Sequence, residues 1–250
     1  MRRRLAAGNW KMHGARADLA EIDALMAAHP HPTVDLLICP PATLLHAAVE
    51  RAAQHPLQIG AQDCHAAPSG AHTGDISAPM LADAGASAVI LGHSERRADH
   101  AETSEAVCAK ASAAQAAGLT AIICLGENLE EREAQATLDV IAEQLSASVP
   151  DTGNANNTVI AYEPCWAIGT GLTARPEQIG EVHDFIRAQL AARFGAGIAE
   201  GIRLLYGGSV KPANAAGIFA VPNVDGALVG GASLRAADFS PIITALSDAP

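Results

Sequence analysis

The sequence predicts an α/β fold, a single-domain (β/α)8 barrel over residues 1–250. Three observations support this prediction: short apolar runs, helical patterns between them, and a chain length of 250 residues. Runs that are continuously apolar, rather than alternating, are typical of strands buried on both faces of a parallel sheet. Strands that alternate with helices over about 250 residues favour a closed eight-stranded barrel over an open doubly wound sheet.

Eight apolar runs are predicted to be the barrel strands. They span residues 5–7, 34–39, 57–61, 88–91, 120–125, 158–162, 202–206 and 227–229. Two of the intervening helices have a clear apolar face, and one of them begins at Pro176. The positions on these faces are Ile179, Val182, Ile186 and Leu190 in one helix, and Leu138, Ile141, Leu145 and Val149 in the other. We expect residues 154–157 to be a loop and not a domain boundary.

Charge and cysteine content narrow the classes of function. Asp and Glu outnumber Lys and Arg by 27 to 16, and the net charge of -11 should repel nucleic acid and anionic membranes. No apolar run reaches the roughly 18 residues that cross a bilayer. The five cysteines are odd in number and lack the paired spacing of a zinc site, which favours reduced thiols in a cytoplasmic protein without a metal. An anionic substrate would therefore need a local positive site.

Chemically useful residues follow several predicted strands. In a barrel of this kind the residues after each strand line one mouth, where catalytic groups are found. These residues are Asn9, Trp10 and Lys11, then Gly92, His93, Ser94 and Glu95, then Glu163, then Gly207, Gly208 and Ser209, and finally Gly230 and Gly231. A carboxylate, an imidazole and an ammonium in one closable pocket can move a proton on a carbon beside a carbonyl.

Each charged residue, taken alone, also has a purely structural interpretation. Glu163 could be an ion-pair partner or a helix cap, His93 a satisfied and partly buried histidine, and Lys11 a solvated surface charge. Their joint position at three strand ends favours the catalytic interpretation. Ser94 is the expected cap of a helix that follows His93. The positive end of that helix disfavours an imidazolium, so we expect a neutral ring.

Two glycine pairs, 207–208 and 230–231, follow the last two predicted strands. They could simply make turns. In barrels of this kind, however, backbone N–H groups after strands seven and eight, together with a short helix N-terminus, form the usual phosphate site. Ser209 and Ser233 suit that geometry. We therefore expect a phosphate group to bind at this side of the mouth.

The segment after Glu163 is predicted to be a lid. Residues 169–174, GTGLTA, match the dinucleotide fingerprint G-x-G-x-x-A, but six residues separate them from the strand and Pro176 opens the next helix, so the match is weak. Apolar side chains and flexible glycines instead suit a cover over the mouth. The predicted lid residues are Pro164, Cys165, Trp166, Ala167, Ile168, Gly169, Thr170, Gly171, Leu172, Thr173 and Ala174.

Five motifs together resemble the triosephosphate isomerase family. They are GNWKM (8–12), GHSERR (92–97), AYEPCWAIGTG (161–171), YGGSV (206–210) and LVGGASL (228–234), in the family's order and spacing along essentially the whole chain. The resemblance implies a TIM barrel enzyme of glycolysis and gluconeogenesis that interconverts dihydroxyacetone phosphate and D-glyceraldehyde 3-phosphate. We expect no cofactor and no metal, because the proton leaves one carbon and returns to its neighbour.

The resemblance also implies individual roles. By it, Glu163 is the base, neutral His93 serves the two substrate oxygens, and Lys11 stabilises developing negative charge. Asn9 binds substrate, and Glu95 supports Lys11 and His93. The backbone amides implied to hold phosphate are those of Gly169, Ser209, Gly230 and Gly231, and the residues implied to hold the closed lid are Tyr206 and Ser209.

The family is dimeric, so the resemblance implies a homodimer through the loop 64–77, with Thr73 reaching the active site of the second copy. An ordinary glycine-rich surface loop is the alternative interpretation. The chain departs from the family pattern at four positions, which are Asp63, Asp75, Cys165 and Leu172. Two other functions stay open from the sequence: an isomerase of a four-carbon ketose phosphate, and a catalytically silent phosphate-binding barrel.

Overall fold

The computed structural model describes residues 2–169 and 172–250, and within these ranges eight parallel strands form a closed barrel. The strands are β1 (Leu5–Asn9), β2 (Asp35–Cys39), β3 (Gln58–Ala61), β4 (Ala88–Leu91), β5 (Thr120–Leu125), β6 (Thr158–Tyr162), β7 (Arg203–Tyr206) and β8 (Gly226–Val229). Each strand pairs in parallel with the next along the chain, and β8 pairs with β1 to close the ring. The predicted (β/α)8 architecture is confirmed.

Strand β1 extends two residues beyond the predicted run 5–7, whereas β4, β5 and β6 have the predicted bounds. Gly8 and Asn9 pair in register with Ile38 and Cys39 of β2. The hydrogen-bonded ladder thus carries the strand past its apolar part. As a consequence, Asn9 lies on the rigid end of a strand and not in the loop that follows it.

Strand side chains alternate between two apolar layers. Leu37, Ile90 and Ile122 belong to the layer inside the barrel, and all are fully buried. Their neighbours Leu36 and Ile123 point outward and pack in the larger core against the helices. Because both faces are buried, the strands read as continuous apolar runs. The filled interior leaves only the ends of the barrel open to ligands.

The helices cover the outside of the barrel. In the described ranges they are α1 (Ala20–Ala28), α2 (Ala42–Ala52), α3 (Ala78–Asp83), α4 (Ser94–Asp99), α5 (Ser104–Ala116), α6 (Leu129–Glu133), α7 (Thr137–Ser148), α8 (Pro176–Phe194), α9 (Ala196–Ala199), α10 (Pro212–Phe219) and α11 (Ala236–Ser247). Across residues 2–169 and 172–250, no helix has the length and apolar character that a bilayer crossing needs.

Local sequence signals set several helix ends. Pro176 is the first residue of α8, as predicted, and Gly195, with φ of 82°, follows its last residue. All four apolar positions predicted for the inner face of this helix are buried. The face predicted for α7 is less regular, because Leu138 is only half-buried and Val149 lies just beyond the helix end.

Candidate active site

A cavity of about 390 Å³ opens where the carboxyl ends of the strands meet. This is the end of the barrel at which catalytic groups are expected. All nine residues singled out from the sequence for catalysis or substrate binding line it: Asn9, Lys11, His93, Glu95, Glu163, Gly169, Ser209, Gly230 and Gly231. They come from the ends of β1, β4, β6, β7 and β8 and from the predicted lid, so the fold gathers groups that are far apart in the chain.

Glu163 follows β6 and is only 2% exposed. Its Oε1 lies 2.9 Å from Nε2 of His93, and its Oε2 accepts the backbone N–H of Ser94 at 2.9 Å. Both oxygens of Glu163 therefore have donors, which stabilise the ionised carboxylate in this resting position.

His93 is the N-cap residue of α4, so the sequence prediction that Ser94 caps this helix is wrong. The ring nitrogen Nδ1 accepts the N–H of Glu95 at 3.2 Å, as a capping side chain does. Because Nδ1 uses its lone pair there, a neutral ring carries its proton on Nε2, the nitrogen that faces Glu163. The helix start thus fixes both the orientation of the ring and its tautomer.

The pKa values of Glu163 and His93 shift in opposite directions. Burial raises the pKa of Glu163, but the His93 ring, the Ser94 N–H and Lys11 lower it by more, so the pKa is lowered. Burial lowers the pKa of His93, but the Glu163 carboxylate raises it by more, so the pKa is raised. This rise depends on the 2.9 Å contact between the two side chains. If Glu163 moves away, burial and the Glu95 N–H both favour the neutral ring.

Lys11 has a left-handed backbone conformation with φ of 53°. For a residue other than glycine this conformation carries strain of about 1–3 kcal/mol, and such strain is concentrated at functional sites. The Lys11 N–H donates to Oδ1 of Asn9 at 3.0 Å, and its Nζ lies 2.5 Å from Oε1 of Glu95. A Cβ added to Gly230 would lie 3.4 Å from Cε of Lys11. The side chain therefore spans the cavity from the His93 side to the glycine-rich side.

The glycine pair 207–208 has a steric reason beyond turn formation. A Cβ on Gly207 would lie 2.8 Å from Cγ of Glu163, and a Cβ on Gly208 would lie 2.2 Å from the hydroxyl oxygen of Tyr206. Both distances are shorter than van der Waals contact. Glycine at these positions leaves room for the carboxylate side chain and for Tyr206.

A 3₁₀ turn, Gly231–Ser233, follows β8 at the opposite side of the cavity. The first N–H groups of such a turn have no partners within it, so they are available to an anion. Ser233 does not occupy the place expected for it. Its side chain is buried, its Oγ donates to the Gly230 carbonyl at 2.7 Å, and its own carbonyl accepts the Trp10 indole N–H at 3.0 Å. Ser233 therefore fixes the turn from behind and does not face a ligand.

The predicted lid starts at Pro164 and continues into the 3₁₀ turn Cys165–Ala167, which is attached to a buried carboxylate. The Trp166 indole N–H donates to Oε1 of Glu127 at 2.9 Å, and the Tyr162 hydroxyl donates to the same oxygen at 3.1 Å. The N–H of Cys165 donates to the Glu127 carbonyl at 3.0 Å. Burial raises the pKa of Glu127. This residue thus anchors the start of the predicted lid.

Two further residues of the predicted lid lie beside the cavity. Ile168 and Gly169 line it. Burial raises the pKa of Tyr206 to about 12, and the backbone N–H of Ala174, at the end of the predicted lid, opposes this rise, so Ala174 lies near the Tyr206 hydroxyl. The predicted lid residues that fall outside the described ranges are Thr170 and Gly171.

Comparison with known proteins identifies the family. A family model described as triosephosphate isomerase matches residues 4–246. The curated triosephosphate isomerase of Ruegeria pomeroyi is 67% identical, over 100% of this chain and 99% of that protein. The chain belongs to the triosephosphate isomerase family. The triosephosphate isomerase of Jannaschia sp. is 62% identical over 100% of both chains. A crystal structure of triosephosphate isomerase from Bartonella henselae superposes with a TM-score of 0.92 at 47% identity, and covers 97% of this chain and 98% of that chain.

Membership of the triosephosphate isomerase family makes the chain an isomerase with a TIM barrel, as the five motifs implied. The relatives cover its whole length, so the assignment does not depend on one segment. They support neither the isomerase of a four-carbon ketose phosphate nor the silent barrel that the sequence left open.

Three residues of the site were not found from the sequence. Gln62 donates to the backbone of Lys11, Glu127 accepts the Trp166 indole N–H in the predicted lid, and Lys211 lines the cavity. Gln62 directly follows β3, and Glu127 lies just past the end of β5. Both positions are strand ends that face the mouth of the barrel, so strand order alone is a sequence signal for them. Lys211 lies further along, in the connection between β7 and α10, where no comparable signal marks it.

Proposed function

We propose that this protein interconverts dihydroxyacetone phosphate and D-glyceraldehyde 3-phosphate through an enediolate, with residues 1–250 acting as one catalytic unit of glycolysis and gluconeogenesis. The observation that carries the proposal is the 2.9 Å contact between Glu163 and His93 in a cavity that Lys11 also lines. A base, a proton donor and a cation around one cavity suit proton transfer beside a carbonyl. A barrel that only bound phosphate would not need the base.

Glu163 is the base in this proposal. At rest, its two oxygens accept from His93 and Ser94, so the carboxylate has to turn away from them to reach the substrate carbon. Loss of these donors inside a buried site makes the carboxylate a stronger base, because the desolvation that raises its pKa is then less opposed. Because residue 207 is glycine, there is space next to the Cγ of Glu163. The carboxylate takes the proton from C1 and returns it to C2, so no net proton is consumed.

His93 and Lys11 stabilise the enediolate. The Nε2–H of neutral His93 donates to the oxygens on C1 and C2, and the Lys11 ammonium faces the charge that develops there. Losing one such donor typically costs about 3–4 kcal/mol of transition-state stabilisation. Asn9 and Glu95 hold Lys11 through its backbone N–H and its ammonium group. Their contacts support a positioning role in addition to contact with substrate.

In this proposal, phosphate binds at the glycine-rich side of the cavity, where the lid closes on it. The donors would be the backbone amides of Gly169, Ser209, Gly230 and Gly231. Gly169 belongs to the lid and the last two belong to the turn after β8, and all line one cavity. A lid that closes on the phosphate excludes water and keeps the enediolate from expelling that group.

Steady-state isomerisation of D-glyceraldehyde 3-phosphate, with Glu163→Gln as the variant, tests the proposal. The substitution preserves the shape of the side chain and removes the base, so kcat should fall by about 10³-fold or more while KM changes a few-fold. Turnover should be insensitive to EDTA, because the reaction as proposed uses no metal and no other cofactor.

Near-normal turnover by Glu163→Gln would contradict the role of the base. An inert triose phosphate together with rapid turnover of a tetrulose phosphate would move the assignment to the four-carbon substrate. Inorganic phosphate binding by the variant, measured by calorimetry, shows whether its cavity is still formed.

The homodimer is also part of our proposal. The tip of the loop 64–77 is exposed, including Thr73. A second groove of about 260 Å³ lies beside the active site and is lined by Lys11, Glu95 and Met12, among others. Met12 is 95% exposed, and a large apolar side chain at a groove suits a contact that covers it. The loop of a second copy would fill this groove and reach the active site.

Sedimentation at several protein concentrations tests the dimer. Thr73→Arg should shift the wild-type dimer toward monomer and lower kcat/KM, because a long cationic side chain does not fit against Lys11. Gln54→Arg, at a position that is also exposed but lies at the other end of the barrel, is the matched control and should change neither property. A wild-type chain that stays monomeric at micromolar concentration would contradict the proposal.

We propose a cytoplasmic location and no nucleic-acid or membrane partner. The net charge of -11 should repel anionic polymers and surfaces, and the cysteine content suits a reducing compartment. Fractionation of cells that express the protein, followed by its detection in each fraction, tests the location.

A further inference from the structure

Gln62 joins three neighbouring strand ends beside the active site. It directly follows β3, and its Nε2 donates to the carbonyl of Lys11 at 2.9 Å and to the carbonyl of Cys39, the last residue of β2, at 2.9 Å. Because both partners are carbonyl oxygens, the amide nitrogen must face them, and this fixes the orientation of the side chain. The Cys39 carbonyl also accepts the N–H of Trp10 at 3.1 Å. Gln62 thus ties the segment after β1 to the rigid end of the barrel.

The Lys11 peptide needs such support because its φ of 53° is unfavourable for a side-chain-bearing residue. Its N–H is held by Asn9 and its carbonyl by Gln62, so both polar groups of this residue have partners that fix the left-handed turn. A relaxed backbone at this position would point the side chain elsewhere. The ammonium would then leave its contact with Glu95 and its place in the cavity.

We propose that Gln62 is a positioning residue that holds the Lys11 peptide in its left-handed conformation and thereby keeps the Lys11 ammonium in the substrate cavity. The proposal rests on the proposed function of Lys11. Gln62 itself touches no reacting atom in it. Its effect on the reaction should pass entirely through Lys11.

A double-mutant cycle with Lys11→Ala tests this dependence. Gln62→Met has nearly the same shape but no donor, and a misplaced catalytic group typically costs about 10²-fold in rate. In the wild-type background Gln62→Met should lower kcat/KM by about 10- to 100-fold, with changes in both kcat and KM. In the Lys11→Ala background the same substitution should change kcat/KM by less than about twofold.

The matched control is Gln115→Met, which removes side-chain hydrogen bonds to Thr158 and Thr152 away from the site and should leave kcat/KM unchanged in both backgrounds. Melting temperatures and sedimentation show that the variants are compared in the same folded and oligomeric state. Where Lys11→Ala turns over too slowly to measure, the cycle is completed with the Kd for inorganic phosphate.

Equal losses from Gln62→Met in both backgrounds, or no loss in the wild-type background, would overturn the inference about Gln62 alone. Full activity of Lys11→Ala would overturn the proposed role of Lys11, and the role of Gln62 with it. A loss confined to the background that contains Lys11 is the result we expect.

Discussion

Lowering the pH from 7 to 5 should destabilise the folded chain through His183, a fully buried histidine on α8. Its Nδ1 lies 3.0 Å from the Asn223 carbonyl, so Nδ1 carries the proton of the neutral ring. Its Nε2 is buried and has no hydrogen-bond partner among the described residues. A second proton on Nε2 would therefore place a cation in the protein interior with no acceptor. Desolvation, opposed by the Asn223 carbonyl and by Asp225, lowers the pKa of His183 from 6.5 to about 4.

The sign and size of the effect follow from this shift. Well above pH 6.5 the ring is neutral in both the folded and the unfolded chain, and His183 does not affect the pH dependence of stability. Below it, the unfolded chain binds a proton that the folded chain excludes until pH is near 4, so stability falls over this window. At 1.36 kcal/mol per pKa unit, the full loss is about 3 kcal/mol, and about 2 kcal/mol of it should appear by pH 5.

Urea unfolding of the wild type and of His183→Asn at pH 7 and pH 5 measures this contribution. The asparagine amide can still donate to the Asn223 carbonyl but does not titrate. Protein concentration is held constant, because a dimer would make the unfolding midpoint depend on it. The wild type should lose about 2 kcal/mol more than His183→Asn between the two pH values. Equal losses in the two proteins would refute the argument, whatever the stability of each at pH 7.

Three further predictions concern the active site. Lys11→Ala should lower kcat and raise KM together, because the ammonium meets both the bound substrate and the developing charge. Lys211→Gln should raise KM several-fold, leave kcat within about twofold, and flatten the salt dependence of kcat/KM, because Lys211 lines the cavity while Lys11 is paired with Glu95. Bulky alkylation of Cys165 should slow turnover by obstructing the lid, and it should proceed slowly at neutral pH, because burial raises the pKa of this thiol to about 12.

Each of these predictions has an outcome that would contradict it, and two of them have a control. If Lys11→Ala had the same kinetic constants as the wild type, Lys11 would be only a solvated surface charge. Lys211→Arg keeps the charge and should behave as the wild type, and an unchanged KM in Lys211→Gln would remove Lys211 from substrate attraction. Alkylation is best measured in a Cys108→Ser background, since Cys108 is the other partly exposed cysteine among the described residues. Full turnover after complete modification of Cys165 would contradict the prediction that a bulky group there obstructs the lid.

The sequence alone determined the architecture of this protein. Doubly buried parallel strands require continuous apolar runs, and helices between them require an apolar face, so both appear as short-range patterns in the chain. Where the length of a strand depends on its pairing with a neighbour, the bounds predicted from the sequence were less accurate. Strand β1 continues through Gly8 and Asn9, because its length is set by the ladder with β2 and not by its own apolar residues.

The site was predictable to the extent that it follows from strand order. The carboxyl ends of parallel strands meet at one mouth, so a carboxylate after β6, a histidine after β4 and a lysine after β1 had to be neighbours. Their hydrogen bonds were not predictable. That Nδ1 of His93 caps α4, that Glu163 rests against His93, and that Ser233 faces away from the cavity all depend on distances between distant segments.

Only the tertiary structure decided how Lys11 is held. Its left-handed backbone is locally unfavourable, and no local pattern signals it. It exists because Asn9 and Gln62, from two different strand ends, satisfy its N–H and its carbonyl. The sequence thus determined which groups the barrel would bring to its mouth, because periodic burial is a local property. The tertiary structure determined their conformations and protonation, because these depend on contacts between segments that are distant in the chain.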